Sequence, residues 1–248
     1  TKSKIFTIIT YYFLIPLSYF IPSHIICCSN KVIDSSKKFL FDSKKFIYIA
    51  NGFDLSSIKL KPKYKFKDKF ILGMLANYRP QKNHVGLIKA LVELKKIENN
   101  FICLLAGNNI DHNNYHLTNL IKNHNLSQEV MLLGRINHFD EFMSNLDIHI
   151  LSSNFGEAFP NVIAEAMSCE VLCIANDVGD TKDIILDTGI ITNTNKPISF
   201  AKAINSLILL KKNNFNEWKI KKKKAKELIL KNYNIHNMCE NYISAWKK

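Results

Sequence analysis

From residue 70 onward the chain alternates short, β-branched apolar runs with longer stretches whose apolar residues recur every three or four positions. Parallel strands need a helical crossover and are buried on both faces, so this alternation is the pattern of a parallel sheet covered by helices. The spacing predicts strands over 70–76, 101–106, 130–133, 147–151 and 171–175, with a short one near 189–191. It predicts helices over 84–97, 115–125, 140–144, 161–168 and 197–210. With right-handed crossovers the result is an α/β fold, a doubly wound parallel sheet.

Such a sheet binds ligands at the carboxyl ends of its strands, so the loops after the strands are where chemistry is sought. They read Asn77-Tyr78-Arg79-Pro80-Gln81-Lys82-Asn83, Gly107-Asn108, Gly134-Arg135, Ser152-Ser153-Asn154-Phe155-Gly156-Glu157 and Asn176-Asp177-Val178-Gly179. Lys and Arg together number 34, yet Arg occurs only at Arg79 and Arg135, both in these loops. A chain that otherwise writes Lys for positive charge and keeps Arg here points to a need for the planar fork that grips phosphate bidentately.

The formal charge of +13 is compatible with a nucleic acid, an anionic membrane surface or an acidic small substrate. Lys is scattered along the whole chain, its densest run, 219–226, falls on an expected surface helix, and no nucleic-acid-binding motif accompanies it, so a nucleic-acid partner is not expected. The six Cys lie mostly inside apolar runs without paired CxxC spacing and read as buried free thiols suited to a reducing cytoplasm. His112 and His116 stand four apart, but without the acidic partner of a zinc-binding helix, so no metal site is expected.

Before residue 70 the pattern differs. Residues 5–28 are strongly apolar, but Pro16 and Pro22 interrupt them, and the expected reading is an apolar helix ending near Pro22 followed by a short buried strand over 24–28. A membrane-associated segment is the lesser reading. A helix begun by Ser29 and a strand over 46–49 follow, and then residues 59–69, rich in Lys and without core periodicity, read as a linker. The chain begins without Met and has no recognisable signal peptide, which reads as a truncated chain.

The most specific stretch is Phe155-Gly156-Glu157-Ala158-Phe159-Pro160-Asn161-Val162-Ile163-Ala164-Glu165-Ala166-Met167. Two carboxylates stand eight positions apart, one in a loop behind a strand and one inside the helix that Pro160-Asn161 opens. A helix N-terminus is a ready anion site, and a carboxylate one turn further in can accept two hydrogen bonds from a vicinal diol such as ribose. Alternatively, Glu165 pairs with a surface Lys and Glu157 is a solvated loop residue.

This stretch, with Glu165-Ala166-Met167-Ser168-Cys169 and Val178-Gly179-Asp180 after it, resembles family 4 of the retaining nucleotide-sugar glycosyltransferases. Ile47-Tyr48-Ile49-Ala50-Asn51-Gly52-Phe53-Asp54 is similar to the segment that precedes the domain linker in that family, and Arg79-Pro80-Gln81-Lys82-Asn83 is similar to its basic loop. The resemblance covers residue 23 to the end and implies a GT-B architecture, whose C-terminal Rossmann-like domain holds the donor. It implies that Arg79 and Lys82 neutralise the donor diphosphate, that Glu157 contacts the sugar, and that Glu165 binds the ribose hydroxyls. The backbone over Phe159, Pro160, Asn161 and Val162 would meet the phosphates, and the loop with Arg135 and Ile136 would lie by the base. One departure is visible: many members place Arg five residues before the Lys, where this chain has Asn77.

The implied division is residues 1–62 as the tail of an N-terminal acceptor domain with the linker, 63–230 as the nucleotide-sugar-binding domain, and 231–248 as a C-terminal return helix. The implied reaction moves a sugar from a nucleotide-diphosphate donor to a glycan or lipid-linked acceptor with retention, in polysaccharide or lipopolysaccharide biosynthesis, this chain alone being inactive. No cofactor and no metal is expected, the nucleotide sugar being substrate. The expected place is the cytoplasm, peripheral at the inner face of a membrane, since the apolar start and the Lys excess suit a membrane surface. The rival readings are a non-catalytic nucleotide-sugar-binding domain and a nucleotide-sugar epimerase of the same fold.

Overall fold

The computed structural model describes residues 2–56, 58, 60, 62–64, 66, 68–192 and 196–247. The chain divides into two compact units, residues 1–52 with 235–248, and residues 53–234. In the first unit helix α1 (Lys2–Phe20) leads into strand β1 (Ile25–Cys27), helix α2 (Asn30–Lys38) and strand β2 (Phe46–Tyr48), with the chain's last helix, α10 (Ile235–Trp246). Strands β1 and β2 pair in parallel, and Ser29 caps α2 by accepting from the Val32 N–H. Tyr11 of α1 stacks on Phe39 with ring centroids 5.4 Å apart. Helix α1 carries Pro16 inside it rather than breaking there, and ends at Phe20. No helix among the described residues is long and apolar enough to cross a membrane.

The second unit is a six-stranded, wholly parallel sheet made of β3 (Phe70–Leu75), β4 (Phe101–Ala106), β5 (Val130–Leu132), β6 (Ile148–Leu151), β7 (Leu172–Asn176) and β8 (Ile190–Thr192). Their order across the sheet is β5-β4-β3-β6-β7-β8. The winding therefore reverses between β3 and β6, and the crevice outside their carboxyl ends is the topological switch point. Crossovers are made by α3 (His84–Lys95), α4 (Tyr115–Asn123), α5 (Phe139–Met143), α6 (Asn161–Ser168) and α7 (Thr181–Ile185), followed by α8 (Pro197–Asn213) and α9 (Phe215–Asn232). The central strands are apolar on both faces, as burial under helices on either side requires, and β4, β6 and β7 are buried throughout. The described residues of the expected linker, up to Lys69, form no helix or strand, although the Tyr64 N–H donates to Asn145 at 2.7 Å.

Cys103, Cys169 and Cys173 are buried and their thiols are pushed up by burial, Cys103 and Cys169 to about 12. Cys27 and Cys28 are only half-buried and Cys239 is exposed, which corrects the expectation of buried thiols for those three.

Two histidines lie in the core of the second unit. His149 on β6 accepts a hydrogen bond from the Leu75 N–H at 3.3 Å, and its Nδ1 has no partner among the described residues. His84 opens α3, and neither of its ring nitrogens meets a described partner in hydrogen-bond geometry. Burial first, and the Lys82 charge after it, holds His149 at about 3 and His84 at about 4, against an ordinary 6.5; the Ala76 carbonyl only partly offsets this for His84. A depressed folded value means stability that is present above pH 6.5 and lost as pH falls towards the folded values. Urea midpoints should therefore fall steadily below pH 6.5, with uptake of about two protons on unfolding near pH 5; a flat profile to pH 4.5 would exclude this origin.

Candidate functional site

The loops after β3 and β6 face each other across the switch point and are stitched together by hydrogen bonds. The Asn154 N–H donates to the Gln81 carbonyl at 2.9 Å, Asn83 Nδ2 donates to Asn154 Oδ1 at 2.9 Å, and Ser152 Oγ donates to the Lys82 carbonyl at 2.9 Å. Asn83 takes a left-handed conformation, φ 53°, and its side chain caps α3 by accepting from the Gly86 N–H. Asn is suited to both tasks, because it tolerates positive φ and carries a short acceptor. The turn aims Lys82 across the crevice, where Nζ meets Glu157 Oε1 at 2.6 Å. Ser153 Oγ donates to the same oxygen at 2.6 Å. The two charged side chains are 19% and 9% exposed, so this is a largely desolvated pair.

Beyond Glu157 the chain enters α6. Pro160 stands at its N-cap position and no side chain caps the end, so the first turn presents backbone N–H groups and the positive end of the helix dipole. Asn161 is exposed and Val162 half-buried there. The Phe159 ring points away into the core, 6.2 Å from Phe53 and 5.2 Å from Tyr233 between centroids, so only its backbone is offered to the crevice. On the same helix the Glu165 carboxyl is half-buried and makes no hydrogen bond or ion pair with a described residue. Burial pushes its pKa above the ordinary carboxylate value. The pairing with a surface Lys that sequence leaves open does not occur among the described residues.

Arg79 is exposed at the start of the turn that carries Lys82 and makes no ion pair with a described residue. Arg135 and Ile136 stand apart from the Lys82–Glu157 pair, two strands further along the sheet. They line a cavity of about 230 Å³ whose walls include Tyr64, Glu141 and Asn145. His116 is hydrogen-bonded to the Tyr78 hydroxyl, 2.5 Å from its Nδ1. Sequence reasoning passed over Ser153, Asn83 and Asn154; all three lie inside the loops it singled out, but their partners are some 70 residues distant in sequence or, for Ser153, fixed by the turn that brings Glu157 back.

The family model described as glycosyl transferases group 1 matches residues 56–234. The chain is similar to the N-acetylgalactosamine-N,N'-diacetylbacillosaminyl-diphospho-undecaprenol 4-alpha-N-acetylgalactosaminyltransferase of Campylobacter jejuni, 31% identical over 131 residues, which is 52% of this chain and 34% of that protein. It is similar also to the N-acetyl-alpha-D-glucosaminyl L-malate synthase of Bacillus anthracis, 29% identical over 140 residues, 55% of this chain and 36% of that protein. The matched stretch thus spans about a third of these curated relatives. Among solved structures, Anabaena HepE in complex with UDP and glucose superimposes with a TM-score of 0.85 at 19% identity, over 96% of this chain and 66% of that one. A glycosyltransferase from Rickettsia africae gives 0.81 at 20% identity, over 91% of this chain and 63% of that one. At these identities the structural likeness speaks for the GT-B fold.

Proposed function

Because the chain belongs to the group 1 glycosyl transferases, we propose that its second unit holds the donor in the transfer of a sugar, with retention, from a nucleotide diphosphate to a glycan or lipid-linked acceptor. The observation that carries this reading is the switch-point crevice, where the loop after β3 holds the Lys82 ammonium opposite the loop that leads into α6, whose start no side chain caps and whose Glu165 carboxyl has no partner among the described residues. Lys82 and Arg79 neutralise the diphosphate, with the N–H groups over Phe159 to Val162 completing its cradle. The departing diphosphate gains negative charge in the transition state, so these groups favour that state over the bound substrate. Glu157, locked by Lys82 and Ser153, presents its remaining oxygen to the sugar, and Arg135 and Ile136 lie by the base. The Campylobacter relative is named for an acceptor on diphospho-undecaprenol, which supports a lipid-linked acceptor and, with it, a membrane-peripheral place for this protein; the cytoplasmic face is part of the same proposal.

The test is Glu165. A carboxyl whose pKa is raised by burial contributes stability only while protonated and loses it as pH rises through the folded value. Glu165→Gln should therefore leave the ligand-free chain at least as stable at pH 7.5, yet weaken nucleoside-diphosphate binding by about 1–3 kcal/mol, because ribose hydroxyls lose a charged acceptor. Calorimetry showing unchanged affinity with the fold intact removes Glu165 from the site. Arg79→Lys should in turn weaken the nucleoside diphosphate far more than the bare nucleoside, since a point charge does not reproduce a two-pronged contact; equal losses for the two ligands place Arg79 away from the phosphates.

A further inference from the structure

Asp147 stands immediately before β6, at the end of the sheet opposite the loops just described. There a groove of about 530 Å³ opens along α9. Its floor is Trp218, 2% exposed and packed edge-on to Phe70 at 5.8 Å. Two carboxylates line it, and both are already engaged. Asp147 is bonded to Lys211 and accepts from the Ile71 N–H at 2.9 Å, and Glu170 pairs with Lys226 at 3.0 Å. Two ammonium groups are left over. Lys219 lies 4.6 Å above the ring of Phe215, itself half exposed at the rim. Lys222 is half-buried and makes no hydrogen bond or ion pair with a described residue.

A half-buried ammonium is ordinarily closed by an anion, because desolvation without a counter-charge is costly. Burial pushes Lys222 below its ordinary pKa, and the attraction of Asp147 and Glu170 does not cancel it. The surplus of cations around an aromatic rim suits a tetrahedral anion with several acceptor oxygens, to which more than one Lys can donate. We propose that this groove is a second anion site, one that takes a phosphate group independently of the donor loops. The phosphate belongs either to a free phosphorylated molecule or to the headgroup of an anionic phospholipid, with Phe215 offering a face to its apolar part.

Trp218 reports on the site directly. The chain has two Trp, and the other, Trp246, is 76% exposed, so Trp246→Phe isolates the emission of Trp218. At constant ionic strength, inorganic diphosphate should change that emission saturably, and Lys222→Gln should weaken the response about tenfold, with Lys219→Gln acting in the same direction. Arg79→Lys, which weakens a diphosphate held by the donor loops, should leave the titration unaltered, which separates this site from the donor reading. A response to phosphatidylglycerol vesicles but not to diphosphate assigns the headgroup; the reverse assigns the free anion. The proposal is overturned if neither probe gives a saturable change, if Lys222→Gln titrates like its parent, or if Arg79→Lys weakens the response.

Discussion

Lys82→Ala should destabilise the second unit by about 1–3 kcal/mol and weaken nucleoside-diphosphate binding about 10- to 100-fold, because one ammonium serves two anions. Within the fold it is the only cation that meets Glu157 among the described residues, and Glu157 is 9% exposed. Truncation leaves that carboxylate with Ser153 alone, and a charge stripped of its partner costs more than the pair contributes. A double-mutant cycle separates the two duties. In Glu157→Ala the stability cost of Lys82→Ala should shrink towards zero, while its cost in diphosphate affinity should persist. If the affinity loss vanishes along with the stability loss, Lys82 acts on the donor only through Glu157, and its direct place at the phosphates is refuted.

How much of this was legible in the sequence depends on the range of the interactions. The alternation of apolar runs located the six strands to within one residue at each end, because parallel strands buried on both faces leave an unmistakable record. It also located the loops that bear function, since the switch-point rule is topological. What it did not yield is the pairing across the crevice. Lys82 and Glu157 are 75 residues apart, and nothing local to either announces the other. Glu165 shows the same limit from the opposite side: an exposed helical Glu and a half-buried one have the same letter, and only the packed fold shows that no described Lys reaches it. Helix α7, five residues long, is too short to show a period, and α1 passes through Pro16 where the local rule predicts an interruption. Nothing local in the sequence marks His84 and His149 as core residues, and their depressed pKa values come from burial first and the Lys82 charge after it.

Gly179 gives the sharpest test of whether that long-range geometry matters. A methyl group there would stand 2.3 Å from the Ala158 carbonyl oxygen and 2.7 Å from that of Glu157, both backbone atoms with no flexible end to move, and its φ of +59° is one that favours glycine. The neighbouring Asp180 N–H also donates to the Ala158 carbonyl at 2.8 Å, so any relief must shift the segment that carries Glu157. Gly156→Ala is the matched control: its φ of +77° is equally left-handed, but the nearest foreign atom is the Gln81 side chain at 3.7 Å. Gly156→Ala should therefore cost only the backbone strain, about 1–2 kcal/mol. Gly179→Ala should cost about 3 kcal/mol or more, since the overlap adds to the strain. The larger cost should come with a functional signature, because displacing Glu157 from Lys82 and Ser153 removes the carboxylate from the sugar while leaving Glu165 on α6. Affinity for the nucleotide sugar should then fall further than affinity for the nucleoside diphosphate in Gly179→Ala, with the two falling together in Gly156→Ala. Equal stability costs for the two variants would mean that the segment over Glu157 and Ala158 yields freely, and Glu157 would then not be the rigidly held contact proposed for the sugar.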